Sequence, residues 1–118
     1  MIEASCHCGA VTLSTEHPPQ WVADCNCSIC RRYGVLWAYY WASEVRVAAS
    51  GRTAVYTWGA ESLRFHRCDG CGCVTHWTKV DAAIDRIGIN ARLMPRDILA
   101  ATPVRRLDGA DTGLYLDA

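Results

Sequence analysis

The chain has 118 residues, and its 12 Lys or Arg balance 12 Asp or Glu to a formal net charge of zero. That length suits one domain with an adequate but not generous core, and the charge balance excludes the electrostatic footprint that duplex nucleic acid or an anionic membrane would require. Met1-Ile-Glu-Ala-Ser lacks the basic and apolar regions of an export signal. The longest strongly apolar stretch, Val35 to Ala42, falls short of the ~20 residues that span a bilayer. The expectation is a cytoplasmic protein with a small-molecule partner, no nucleic acid and no membrane.

Short β signals recur along the chain with no long 3.6-residue period to compete, which predicts a mainly β class. Val11 and Leu13 alternate with Thr12 and Ser14 across 10–15, and His17-Pro18-Pro19 then blocks the ladder. Trp21 to Cys25 is extended, and Val35 to Trp41 is an aromatic-rich run whose Trp and Tyr residues are expected in the core. Val45 and Val47 flank Arg46, Ser50-Gly51 turns, and Thr53 to Trp58 is a strand closed by Gly59. Leu63 and Phe65 should face opposite to Arg64 and His66 in a strand that runs into a cysteine turn at 68–72, with Val74 to Lys79 leaving it. Ile87, Ile89, Ala91 and Leu93 mark a further alternating strand. Pro95 to Ala101 reads as a short helix opened by proline, and the tail from Thr102 is polar. Neither a repeat nor a linker interrupts the sequence, so residues 1–118 are expected to form a single domain.

Eight cysteines fall into three short clusters: Cys6-His-Cys8, Cys25-Asn-Cys27-Ser-Ile-Cys30 and Cys68-Asp-Gly-Cys71-Gly-Cys73. Cysteines one or two positions apart on a tight turn can aim their sulfurs at one ion, whereas disulfides usually staple distant segments. In a reducing compartment such spacing favours metal. Cys68 and Cys71 with Gly72 form a knuckle, and together with Cys6 and Cys8 they complete the four sulfurs of a closed structural zinc site. Cys25, Cys27 and Cys30 supply three, leaving one open position, the arrangement of catalytic zinc. The alternative is a second closed four-cysteine site with Cys73 as its fourth ligand. Alternation along a strand argues instead that Cys73 shares a face with Cys71, beside the first ion.

Carried by Cys6-His-Cys8-Gly9-Ala10-Val11, by Cys25-x-Cys27-Ser28-x-Cys30-Arg31-Arg32 and by Cys68-x-x-Cys71-Gly72, the chain resembles the glutathione-dependent formaldehyde-activating enzyme (GFA) family, also called the CENP-V/GFA domain. The resemblance implies a mainly β fold of twisted antiparallel sheets with zinc knuckles and short helical turns. It implies two Zn2+ per chain: a structural zinc on Cys6, Cys8, Cys68 and Cys71, and a catalytic zinc on Cys25, Cys27 and Cys30. The implied activity is that of a carbon–sulfur lyase interconverting a thiol and an aldehyde with an adduct such as S-hydroxymethylglutathione. Many members carry His where this chain has Asn26, which cannot titrate. His66 and His76 are candidate proton-transfer groups, and Arg31 and Arg32 are candidates to clamp a carboxylate of a peptide thiol such as glutathione. A different class of function is a non-catalytic, zinc-stabilised binding module that presents exposed aromatics among Trp37, Tyr39, Tyr40 and Trp41.

Overall fold

Period-two runs become strands wherever one face of the run can be buried. In the computed structural model, which describes residues 1–116, these are β1 (Ile2–Ser5), β2 (Val11–Thr15), β3 (Val22–Cys25), β4 (Trp37–Tyr40), β5 (Arg46–Ala49), β6 (Thr53–Tyr56), β7 (Leu63–Cys68), β8 (Val74–Lys79), β9 (Ile87–Asn90) and β10 (Val104–Leu107). Two short helices, α1 (Ser28–Tyr33) and α2 (Arg96–Ala101), complete the regular structure with two 3₁₀ turns. The strands form a three-stranded sheet in the order β1-β2-β5 and a seven-stranded sheet in the order β10-β3-β4-β9-β8-β7-β6. Among the described residues, no helix is long and apolar enough to cross a membrane.

Alternation along the large sheet gives it two different faces. Ala38 and Tyr40 of β4 and Ile87 and Ile89 of β9 pack with Ala4, Val11 and Leu13 of the small sheet into one core. The opposite face carries Ala23 and Cys25, Trp37, Phe65 and Trp77, which pack with Ile29 and Cys30 of α1 into a second, aromatic core. Gly88 is required where it stands. It pairs with Trp77 across the β8–β9 ladder, and any Cβ on it would collide with the Trp77 indole.

Four features differ from the sequence expectation. The chain from Thr102 is not merely a polar tail, because β10 joins the large sheet beside β3, and this pair is parallel where every other pair of named strands is antiparallel. The expected strand over 87–93 ends at Asn90, whose side chain accepts from the Arg92 amide (3.2 Å) and turns 91–93 into a 3₁₀ helix. Ser28 to Tyr33 is helical, capped by the Cys27 sulfur at one end and by Gly34 (φ 67°) at the other. Trp41 lies outside the core, 55% exposed under the Arg86 guanidinium, while Trp37 and Tyr40 are buried. Of the four aromatics of 37–41, Trp41 is exposed and Tyr39 half-buried, and Arg86 packs on both. The helix opened by Pro95 is present as α2.

His66 and His76 are cross-strand partners with stacked rings, 4.2 Å between centroids. His66 Nε2 pairs with Thr78 Oγ1 and His76 Nδ1 with Thr75 Oγ1, both at 2.8 Å. Burial, reinforced by its histidine neighbour, pushes the pKa of His76 down to about 3, and burial lowers that of His66 as well. The folded state thus holds both rings neutral, whereas the unfolded chain takes up protons below about 6.5. Stability is full above that value and declines as the pH falls toward 3, by at most about 1.4 kcal/mol per pH unit for one histidine. The urea midpoint should therefore drop between pH 7 and pH 5, and His76→Gln should flatten the drop. An unchanged slope in that variant would exclude His76 as the source of the acid sensitivity.

Candidate metal centres

Two groups of sulfurs converge. The Sγ atoms of Cys6, Cys8, Cys68 and Cys71 all lie within 4.8 Å of one another, as do those of Cys25, Cys27 and Cys30. Cys8 Sγ is 3.7 Å from Cys6 Sγ and 3.6 Å from Cys68 Sγ. A disulfide needs about 2.05 Å, and all eight cysteines are free. A tetrahedral ion with bonds of ~2.3 Å spaces its ligands by about 3.8 Å, so these separations match the edges of a zinc tetrahedron. Soft thiolate donors suit the same metal.

The first group is built from two glycine-closed turns, one closing over three residues and the other over four. Gly9 and Gly72 follow Cys8 and Cys71 with φ of 82° and 80°, and their amides close the turns onto the carbonyls of Cys6 (3.1 Å) and Cys68 (2.9 Å). These bends aim backbone N–H groups at sulfur. The Val11 amide donates to Cys6 Sγ at 3.3 Å. The amides of Cys73 and Cys8 hold the Cys71 thiol down at about 5, in the thiolate range near neutrality. Cys73 sits beside this group, with the His7 amide directed at its sulfur and Cys71 and Cys6 as its charged neighbours. Cys73 is thus beside the first group as expected, but through the turn before β8, which begins only at Val74, and not through strand alternation. Among the described residues, no fourth His, Cys, Asp or Glu joins Cys25, Cys27 and Cys30. The alternative of two closed four-cysteine sites therefore finds no eighth thiol where it needs one.

The middle group lies on the aromatic face. Cys25 ends β3, Cys27 caps α1, and Cys30 lies in the first turn of that helix. The Cys27 sulfur accepts from the Cys30 amide at 3.4 Å, and the Cys30 sulfur accepts from the Trp37 indole N–H at 3.2 Å. Burial opposes ionisation at all three. At Cys27 the donors around Cys30 and Cys25 outweigh it and lower the pKa, while Cys25 and Cys30 are raised. A bound dication would reverse the balance for the raised pair, since a coordinating thiol is deprotonated.

Residues of the C-terminal segment enclose this group, a contribution that the sequence reading missed. Gly109 lies so close to Cys25 Sγ that a Cβ there would come within 2.5 Å of it. Asn26 uses both halves of its amide to hold the loop in place: Nδ2 donates to Asp108 Oδ1 and Oδ1 accepts from the Ala110 amide, both at 2.9 Å. The Asn26 amide and the Thr112 hydroxyl and amide keep the Asp108 carboxyl below the usual carboxylate range. The signal available in the sequence was Asn26 itself, a residue able to donate and accept at once where a titratable one was expected.

Beside Cys27 and Cys30 a cleft of about 280 Å³ opens over Trp37, Tyr39, Phe65 and Trp77, with Trp58 on its outer wall. His66 and His76 do not reach it. Phe65 and Trp77 face the cleft, and alternation turns both histidines to the opposite face of the sheet. Arg31 and Arg32 are exposed and outside the cleft, and Arg32 Nη1 donates to the Ser28 carbonyl of its own helix at 2.8 Å. The phenol that does line the cleft belongs to Tyr39, whose burial raises its pKa well above that of an ordinary tyrosine.

The sequence model described as glutathione-dependent formaldehyde-activating enzyme matches residues 1–101. The crystal structure of a Rhodobacter sphaeroides protein, a structural genomics target, is similar with a TM-score of 0.70 and 27% sequence identity, covering 86% of this chain and 98% of that one. No curated protein matches the sequence. With its three cysteine motifs brought together as two sulfur groups and the match running over most of its length, the chain belongs to the glutathione-dependent formaldehyde-activating enzyme family.

Proposed function

We propose that residues 1–118 form a single-domain cytoplasmic zinc enzyme, a carbon–sulfur lyase that interconverts a thiol and an aldehyde with their adduct. The observation that carries this reading is the three-sulfur group that no fourth His, Cys, Asp or Glu joins among the described residues, beside a cleft. Cys6, Cys8, Cys68 and Cys71 would hold a structural zinc, and Cys25, Cys27 and Cys30 a catalytic one. A zinc ion on the three sulfurs would supply Lewis-acid stabilisation to a substrate thiolate or carbonyl oxygen at its open position.

The chain's own residues account for the rest. In the addition direction the thiol gives its proton to solvent, its sulfur bonds to the carbonyl carbon, and the carbonyl π pair moves to oxygen. Tyr39 Oη, kept protonated by burial, donates its proton to that oxygen and recovers one from solvent. Cleavage runs in reverse: the hydroxyl proton leaves, the C=O bond re-forms, and the C–S pair returns to sulfur. Trp37 fixes Cys30 through its indole N–H, and Asn26 fixes the loop that shields Cys25. Family membership makes glutathione the first thiol to try.

Metal analysis with thiol counting in the native state should give two zinc ions per chain and one reactive thiol, Cys73. Two ions with every thiol protected would support closed sites and remove the open position. Cys27→Ser should abolish turnover while leaving the fold in place, whereas Cys71→Ser should lower the melting temperature; equal destabilisation by the two would argue against separate structural and catalytic roles. Tyr39→Phe should reduce kcat about 10²-fold, the lower end of what a positioned proton donor contributes, with zinc content unchanged. Wild-type turnover in that variant would exclude the phenol from proton transfer.

A further inference from the structure

Building on the sulfur-binding position of the reading above, we propose that the substrate carries an apolar, uncharged body, aryl or branched alkyl, seated in the aromatic cleft with its sulfur at Cys25, Cys27 and Cys30. The adduct of choice is then hydrophobic, and glutathione is a poor substrate.

The cleft itself makes the case. Its walls bring Trp37, Tyr39, Trp58, Phe65 and Trp77 together at one end of the cysteine group, and among the described residues no Asp, Glu, Lys, Arg or His lines it. Glutathione brings an ammonium and two carboxylates, and each charge placed among these rings would lose its water without gaining a partner. The nearest cations stand outside. The Lys79 amine lies 5.7 Å from the Trp77 ring centroid. The Arg86 guanidinium packs on Tyr39 and Trp41 at 5.8 and 5.3 Å. Arg32 lies in a neighbouring groove that shares Ile29 and Trp58 with the cleft. A ring or branched chain, by contrast, meets aromatic faces and edges suited to stacking. A volume of about 280 Å³ approaches the lower end of small-ligand pockets, ~300 Å³, and is sized for one such group.

Trp58 is the wall that selects. It is 42% exposed and stands on the loop between β6 and β7, where Gly59 and Glu61 both take left-handed conformations (φ 60° and 55°) and the Glu61 amide closes onto the Trp58 carbonyl at 2.9 Å. A non-glycine residue in that region needs surrounding structure to hold it. The loop is thus shaped to present the indole to the cleft, and removing an exposed side chain there leaves both cores intact.

The test is calorimetric titration of the zinc-loaded full chain with phenylmethanethiol and with glutathione. Phenylmethanethiol should bind at least about tenfold more tightly, and Trp58→Ala should weaken it about fivefold or more while leaving glutathione unchanged, in line with the loss of aromatic contact area. Equal or tighter binding of glutathione, with both thiols dependent on Cys27, would overturn the apolar substrate while the metal–thiol reading stands. Preferential binding of phenylmethanethiol that survives Cys27→Ser would uphold the apolar cleft and remove the metal from substrate binding. If phenylmethanethiol and glutathione both failed to bind, both readings would be overturned.

Discussion

Side chains on a strand point alternately to the two faces of its sheet, and this constraint on the seven-stranded sheet governs everything else in the molecule. Cys68 falls in step with Arg64 and His66, and so meets Cys6 and Cys8 on the side of the small sheet. Cys25 falls in step with Ala23 and turns to the aromatic side, where Cys27 and Cys30 join it. A one-residue slip of register would bring both groups to the wrong faces. The antiparallel ladders from β4 to β6 and the pairing of Gly88 beneath Trp77 hold that register.

The same separation gives the two sulfur groups different surroundings. The first is made of backbone: two glycine-closed turns whose amides face sulfur, as befits a staple for a domain with a limited core. The second is made of side chains. An indole N–H fixes one sulfur, a helix amide fixes another, and a loop held by Asn26 covers the third. The first group gathers four protein sulfurs, while the second gathers three beside the aromatic cleft. Packed among aromatic rings, these sulfurs interact with neighbouring charges more strongly than they would in bulk water.

Most of the strands and both sulfur groups were legible because each rests on local signals: alternation, turn glycines and cysteines one to three residues apart. Val11 and Leu13, Phe65 and the Cys68–Gly72 turn stand where the sequence placed them. What escaped depends on distant partners. β1 is four residues long and is defined by its pairing with β2, and β10 exists through a parallel pairing with β3 that no local pattern announces. Tyr39 looked like core, yet its ring lines the cleft because its strand neighbours bury the other face. His66 and His76 looked catalytic by chemistry alone, and only the facing of the Phe65–Trp77 pair shows which way they turn.

The loop over Cys25 also sets an order of events. Asn26 and Asp108 are 82 positions apart, and the contact between them must wait for Asp108 to emerge during synthesis. Long-range parallel pairing is slow to form. The three middle sulfurs therefore emerge before the segment that covers them. In that interval Cys25 lacks its cover, and the closing segment then brings Gly109 against its sulfur.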